Sequence, residues 1–237
     1  MSAIRLKELK STIRENADKN HAKTMQWFFK TGKGEYGEGD KFLGLRVPLQ
    51  RKIAKKFNEL ELSDLKQLLQ SKIHEQRLVS LLILVEQYQN ADVKGKAKIY
   101  KFYLQNSQYI NNWDLVDLSA PKIVGLHLLN DDKKILFKYA QSNNLWKKRI
   151  AIISTYTFIK NKELATALEL SDKLLNDKHD LIHKAVGWML REVGKMNMNV
   201  LENFLKPRYN KMPRTTLRYA IEKFPEQKRK KYLKGII

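Results

Sequence analysis

The sequence contains no cysteine, which excludes disulfide bonds and thiolate metal sites. It also has no apolar run long enough to span a bilayer. The segment Met1–Lys7 lacks the apolar core of a signal peptide. No stretch alternates apolar and polar residues for long enough to indicate a sheet. These absences predict a cytoplasmic, all-α protein without membrane association.

Acidic residues are also scarce relative to basic ones. The chain has 46 Lys and Arg against 25 Asp and Glu, a formal net charge of +21 over 237 residues. The imbalance is strongest in residues 201–237, where eleven Lys and Arg accompany three Glu. Such a chain attracts polyanions, and nucleic acid is the partner we expect. A membrane surface is the weaker alternative, because no segment pairs a strongly basic face with an exposed aromatic face.

Apolar residues recur at helical spacing along almost the whole chain. Half of the ten glycines fall between Gly32 and Gly44, which indicates a loop without a phosphate-binding pattern. From residue 63 onward, short and long helices alternate with short polar connections, so we expect one domain. Its parts are N-terminal helices with the glycine-rich loop (1–60), helix pairs (61–225) and a basic last helix (226–237). The predicted helices are 4–16, 20–31, 48–58, 63–69, 73–88, 93–107, 111–126, 131–142, 145–160, 162–176, 180–195, 198–209, 213–224 and the basic C-terminal one.

The longer helices of the pairs align in register. Arg77, Trp113, Arg149, Lys184 and Arg218 occupy one equivalent position, with spacings of 36, 36, 35 and 34 residues. A period of this size is typical of an α-helical solenoid, whose stacked pairs form a curved surface. Four of these five residues are cations, so the alignment predicts a basic concave face that follows a phosphate backbone.

The exception in this register, Trp113, is followed by Asp117 one turn later on the same helical face. Asn111 or Asn112 is suited to cap that helix. Trp188 falls at the position equivalent to Asp117 two repeats later. Taken alone, the motif is also consistent with an interface Trp beside a solvated Asp. The alignment instead favours a shared concave surface that also includes Arg149.

The chain resembles the HEAT-like-repeat DNA alkylation repair glycosylases of the AlkD family, and the resemblance covers essentially its whole length. Each matching segment is weak alone, but together they are specific. The matching segments are 112–117 (NWDLVD), 145–151 (LWKKRIA), 184–192 (KAVGWMLRE) and 212–220 (MPRTTLRYA).

The resemblance implies a right-handed solenoid of HEAT-like pairs that excises cationic N3- and N7-alkylated purines from duplex DNA. Asp117 matches the catalytic carboxylate, Trp113 and Trp188 match the cleft tryptophans, and Arg149 matches the cleft arginine. The family acts without a base-binding pocket. From the register and these segments together, we expect DNA contacts from Arg77, Lys147, Lys148, Lys184, Arg191, Arg214 and Arg218.

We expect a monomer that binds double-stranded DNA with alkylated bases and uses no cofactor or metal. No lysine is marked as a Schiff-base nucleophile, so a monofunctional glycosylase without lyase activity is expected. The alternatives are a non-catalytic protein that binds damaged or branched DNA, and a repeat scaffold for an acidic partner.

Several other residues have simpler interpretations. Asp114 lies about 100° round the helix from Trp113, so we expect it to pair or to cap. The histidines show no metal-ligand spacing. The cluster Trp27, Phe28 and Phe29 is expected in the core, and Trp146 is expected to pack between repeats.

The charge excess generates a first prediction. Binding to duplex DNA should weaken steeply with salt and depend little on sequence, because each neutralised phosphate releases counterions. Arg77, Arg149, Lys184 and Arg218 are expected to contribute. Affinity measured across a salt series tests this, and a flat profile would exclude a basic DNA-binding face.

Overall fold

The computed structural model describes residues 2–237, with side chains from residue 4 onward. Within this range the chain is all-helical, as predicted, and its only β contact is an isolated bridge between Lys41 and Ile73. None of the described helices is long and apolar enough to cross a membrane. The helices are α1 (Ser2–Glu15), α2 (Lys19–Phe28), α3 (Val47–Lys56), α4 (Leu62–Leu69), α5 (His74–Asn90), α6 (Val93–Gln105), α7 (Trp113–Ala120), α8 (Lys134–Ala140), α9 (Leu145–Lys160), α10 (Ala165–Leu174), α11 (Asp180–Met196), α12 (Met198–Leu205), α13 (Arg214–Ala220) and α14 (Glu226–Lys234).

Short polar side chains cap the N-termini of several of these helices. Asp18, Asp92, Asn144 and Asn197 each accept a hydrogen bond from a backbone N–H in the first turn of the helix that follows. Such a cap satisfies a donor that has no partner within the helix and contributes about 0.5–2 kcal/mol. The caps therefore fix where α2, α6, α9 and α12 begin.

The chain divides into two compact units: the first ends at Ser119, and the second begins at Ala120. In the first, α5 packs against α3 and α4. In the second, α9 packs against α8, α10 and α11, and α11 packs against α12 and α13. Three of the predicted pairs therefore pack together: α4 with α5, α8 with α9, and α10 with α11. The single domain over residues 1–237 remains a prediction.

The helix predicted for residues 111–126 is shorter and is modified at its C-terminal end. Helix α7 ends at Ala120, and a π-helical turn follows over Pro121–Gly125. Proline has no N–H and crowds the preceding turn, which favours such a departure from α geometry. The carbonyl of Pro121 accepts a hydrogen bond from Thr157 Oγ1 at 2.6 Å, so the wider turn still has a polar partner.

The end of the glycine-rich loop is held by one buried carboxylate. Glu75, on α5, is fully buried and accepts hydrogen bonds from the backbone N–H groups of Leu43, Gly44 and Leu45 at 2.7–3.3 Å. Gly44 has a φ of +91°, and a methyl group there would overlap the carbonyl oxygen of Asp18. The close approach of this loop to the start of α2 therefore requires glycine.

A matched pair of glycines tests this packing. Gly34 also has a positive φ, +78°, but a methyl group there meets nothing within 4 Å. Gly34→Ala should lower the free energy of unfolding by about 1–2 kcal/mol, the cost of the backbone conformation alone. Gly44→Ala adds a steric overlap and should cost at least about 3 kcal/mol. Denaturant unfolding of both variants measures this difference, and similar losses would contradict the close packing.

Candidate active site

Helix α7 places Trp113 and Asp117 one turn apart, as the sequence predicts. Asn112 caps the helix: its Oδ1 accepts from Trp113 N at 2.8 Å, and its carbonyl oxygen accepts from Val116 N at 3.2 Å. Trp113 and Asp117 are both half-buried. They line the same cavity, so the indole and the carboxylate face a common space.

This cavity, which we call the α2–α7 cavity, has a volume of about 510 Å³. Helices α2 and α7 and the start of α3 form its walls, and most of the lining side chains are apolar or aromatic. The lining residues are His21, Thr24, Met25, Trp27, Phe28, Phe29, Leu45, Arg46, Val47, Gln50, Trp113, Asp114, Asp117 and Leu118.

Two aromatic residues of α2 correct a sequence prediction. Trp27 is 81% exposed and Phe28 is 55% exposed, although both were expected in the core. Phe29 is buried, as expected. The three residues are consecutive, so they point in different directions around the end of the helix. Sequence analysis missed Trp27 and Phe28 as lining residues because hydrophobicity alone does not distinguish a covered ring from an uncovered one.

A cluster of four rings holds Trp113 in place, and within it the ring of His74 also lies 5.1 Å from that of Phe29. The ring of His74 stacks on Phe42, with centroids 4.5 Å apart, and Phe42 stacks on Phe29 at 5.0 Å. Phe29 in turn stacks on Trp113 at 5.0 Å with an interplanar angle of 14°. Phe28 meets Trp113 edge to face at 5.8 Å. Trp113 therefore has a fixed orientation where it reaches the cavity.

His74 also belongs to a buried cluster of four charged side chains. His74 Nε2 donates to Asp114 Oδ2 at 2.8 Å, and Arg77 Nη2 donates to Asp40 Oδ2 at 2.6 Å. His74 Nδ1 lies 3.3 Å from the same Asp40 oxygen, and Asn112 Nδ2 also donates to it at 3.3 Å. All four charged side chains are less than 10% exposed. Opposite charges are thus paired in a region from which water is largely excluded.

The cluster sets the protonation of His74. Burial alone lowers the pKa of His74, but the charge and hydrogen bonds of Asp114 and Asp40 outweigh it and raise the pKa to about 9. Burial also opposes the charge of Asp40, yet His74 and Arg77 keep the pKa of that carboxyl below its ordinary value. At neutral pH His74 is therefore protonated and Asp40 is ionised.

The charged cluster includes two residues for which the sequence made predictions. Asp114 was expected to pair or to cap, and its hydrogen bond with His74 confirms this. Arg77 was expected to contact DNA, and that contact remains a prediction. Arg77 is 3% exposed, and its terminal nitrogens bind Asp40 and the carbonyl oxygen of Ser71. The helical register identified an equivalent position but contained no information about the buried carboxylate opposite Arg77.

Two other predicted site residues lie in the second unit. Arg149 is buried, at 5% exposure, and its Nη1 donates to the carbonyl oxygen of Leu181 at 2.7 Å. Trp188 is half-buried, and its ring lies 6.0 Å from that of Tyr156. Arg149 thus holds the first turn of α11, the helix that carries Trp188. A direct phosphate contact by Arg149 remains a prediction.

The other predicted DNA contacts are more accessible than Arg77 and Arg149. Arg214 and Arg218 are exposed, and the remaining four are half-buried with a nearby ring or carboxylate. These four are Lys147 over the ring of Tyr139, Lys148 with Asp177, Lys184 with Asp180, and Arg191 with Glu222. Elsewhere in the second unit, Trp146 is buried, as a packing role requires.

Comparison with known proteins identifies the class. A family model described as "DNA alkylation repair enzyme" matches residues 9–224, so the chain belongs to this family. A solved structure, "Predicted DNA alkylation repair enzyme from Enterococcus faecalis", is similar with a TM-score of 0.69 and 17% sequence identity. The similarity covers 89% of this chain and 97% of that one, and it supports the fold. No curated protein matches the chain.

The raised pKa of His74 predicts how stability depends on pH. Because the folded state binds the proton more tightly, the stabilisation is complete below about pH 6.5 and is lost as pH rises towards 9. The free energy of unfolding should fall by on the order of 3 kcal/mol across this range. His74→Gln should be less stable and lack this fall, which denaturant unfolding at several pH values measures.

His127 provides a control for this measurement. Burial lowers the pKa of His127, so its contribution to stability is lost when pH falls, the opposite sign. His127→Gln should keep the fall in stability between pH 6.5 and 9. An equal fall in wild type and His74→Gln would show that another group causes it.

Proposed function

We propose that this protein is a monofunctional DNA glycosylase that hydrolyses the N-glycosidic bond of cationic N3- and N7-alkylated purines in duplex DNA. The observation that carries the proposal is the pairing of Trp113 and Asp117 on one turn of α7, both facing an aromatic cavity. Membership of the DNA alkylation repair enzyme family supports the same substrate class.

The substrate explains why so few catalytic groups are needed. Alkylation at N3 or N7 gives the purine a positive charge, so the base already leaves readily and needs no strong general acid. When the C1′–N bond breaks, its electron pair neutralises the base and positive charge develops on the sugar. A carboxylate fixed near C1′ stabilises that charge. Asp117 is the residue to which we assign this role.

Water completes the reaction. It adds its oxygen to C1′, and the proton it loses passes to Asp117 or to solvent. The carboxylate is therefore proposed both to stabilise the sugar and to orient the attacking water. No lysine takes part in these reaction steps. The proposed enzyme therefore forms no Schiff base and does not cleave the DNA strand.

The aromatic and basic residues have separate roles in the proposal. Trp113 and Trp188 present aromatic faces to the developing positive charge, an interaction worth about 0.5–2 kcal/mol each. Arg149 holds the turn at Leu181, at the start of the helix that carries Trp188. The more accessible cations hold the DNA backbone without reading its sequence.

The two carboxylates of α7 offer a direct test. Asp117→Asn removes the charge beside the cavity and should slow excision by on the order of 10²–10³-fold, while fold and DNA binding are kept. Asp114→Asn removes the partner of buried His74, so it should lower the melting temperature. Its excision rate per folded molecule should change far less. Single-turnover release of methylated base, measured beside thermal melting, separates the two effects.

Two results would contradict this assignment. Equal losses per folded molecule in both variants would mean that Asp117 has no special role. Wild-type protein that binds methylated DNA with salt-dependent affinity but releases no base would instead be a non-catalytic binder of damaged DNA.

A further inference from the structure

We infer that the outer side of the last helix, α14, is an additional contact surface for duplex DNA, at which lysine side chains hold backbone phosphates independently of sequence. The surface consists of Lys230, Lys231 and Lys234, and we call it the α14 lysine face. It lies beyond residue 224, where the match to the family model ends. The inference rests on the proposed function in that its partner is duplex DNA.

The chain after residue 224 concentrates positive charge on one short helix. Residues 226–237 contain five Lys and Arg but a single Glu. Lys230 and Lys234 are one turn apart and Lys231 follows Lys230, so the three side chains lie within about 100° of the helix circumference. All three are exposed. The helix therefore presents three ammonium groups to solvent on one side.

The opposite side of α14 fixes the helix to the second unit. Tyr232 is fully buried, and its ring meets those of Tyr209 and Phe224 edge to face, with centroids 5.3 and 5.4 Å away. Lys228 pairs with Glu202 and lies over the ring of Phe224. Because these contacts hold the helix, the α14 lysine face has a fixed direction, and DNA can bind it without first ordering its backbone.

Carboxylates of the protein leave most of this positive charge uncompensated. Lys230 pairs with Glu226 at 3.1 Å, but the two side chains are 63% and 66% exposed, so solvent and salt screen the pair. Within residues 4–237, Lys231 and Lys234 form no ion pair. Like charges on one side of a helix repel each other, and a bound polyanion relieves that repulsion.

The preceding helix places the α14 lysine face next to an expected DNA contact. Arg214, at the start of α13, donates from Nη2 to the carbonyl oxygen of Leu233 on α14 at 2.8 Å. Arg214 and Arg218 are both exposed, and both are expected to contact DNA. The guanidinium of Arg214 therefore adjoins the turn of α14 that carries Lys234, and cations of the two helices are neighbours.

Duplex DNA fits the spacing of these charges. From Lys230 to Lys234 the helix rises about 6 Å. Duplex DNA carries one negative charge per about 1.7 Å of its axis, or roughly three over the same length. A membrane surface is the other extended polyanion, and Ile236 and Ile237 are exposed beside the helix. Membership of a DNA repair family and the neighbouring arginines of α13 favour DNA.

Fluorescence anisotropy with undamaged duplex DNA, measured across a salt series, tests the inference. The test variant combines Lys230→Gln, Lys231→Gln and Lys234→Gln. The slope of log K against log salt should become shallower by about two to three, because each phosphate contact contributes about 0.9. The loss of affinity should be about ten- to fortyfold larger at 50 mM than at 200 mM salt. A second variant with arginine at these three positions should bind as wild type does.

A matched control makes the same change of charge elsewhere. Lys94, Lys98 and Lys101 are exposed on α6, which is outside the register of the predicted DNA contacts. Replacing all three with glutamine should leave the slope nearly unchanged. The lysines in the last turn of α14 also interact favourably with the helix dipole, so thermal melting of every variant checks that the fold is kept.

Three results would overturn the inference. They are an unchanged slope in the α14 glutamine variant, an equal change in the α6 variant, and lysine-dependent binding to phosphatidylserine vesicles with unchanged affinity for DNA. A loss of affinity that matches only the unfolded fraction of the α14 variant would count against it in the same way.

Release of methylated base, measured in parallel, separates this inference from the proposed function. If wild type releases methylated base and the α14 glutamine variant keeps the wild-type slope, the glycosylase stands and the α14 lysine face fails. If wild type releases no base but the variant has the shallower slope, the α14 lysine face stands and the catalytic proposal fails.

Discussion

The hydrogen-bonded ion pair between His74 and Asp114 is the interaction on which the first unit's candidate site depends. Asp114 belongs to the first turn of α7, so the pair fixes that turn against α5. Arg77 and Asp40 extend the pair into a four-charge cluster that also includes the glycine-rich loop. Removing one member of a buried ion pair costs about 3–5 kcal/mol, because its partner remains buried without compensation. The position of Asp117, one turn along α7, therefore depends on charges that are themselves buried.

The charged cluster and the cluster of four rings share one residue, His74. His74 donates to carboxylates through its ring nitrogens, while the face of the same ring packs on Phe42. A protonated imidazole attracts an aromatic face more strongly than a neutral one does. The ring of His74 also lies 5.1 Å from that of Phe29, which stacks on Trp113, so His74 packs against the residue that orients Trp113. The raised pKa of His74 keeps this ring protonated at neutral pH.

Local patterns in the sequence predict the helices well, but they predict the surroundings of single residues less well. Helical periodicity predicts the helices, and i,i+4 spacing places Trp113 beside Asp117, because both features depend on neighbouring residues. The burial of Arg77 depends on Asp40, 37 residues earlier in a glycine-rich loop, which helical register does not reveal. The exposure of Trp27 likewise depends on which segments cover α2, and hydrophobicity does not report that. Pro121 was a visible signal for the π-helical turn after α7.

Two features of the first unit, its buried charges and its exposed aromatic rings, are less stable than an ordinary apolar core. Both lie next to α7. A buried charge cluster is rarely more stable than apolar packing of the same volume. The rings of Trp27 and Phe28 are exposed, whereas most other large apolar residues of the described chain are buried, so these two contribute less hydrophobic stabilisation. Natural proteins concentrate such departures at functional sites, where they are compensated elsewhere in the structure. The charge cluster lies behind Trp113, and Trp27 and Phe28 lie beside it at the cavity. The energetics of the first unit therefore point to the same turn of α7 that the sequence motif identifies, by an argument independent of family membership.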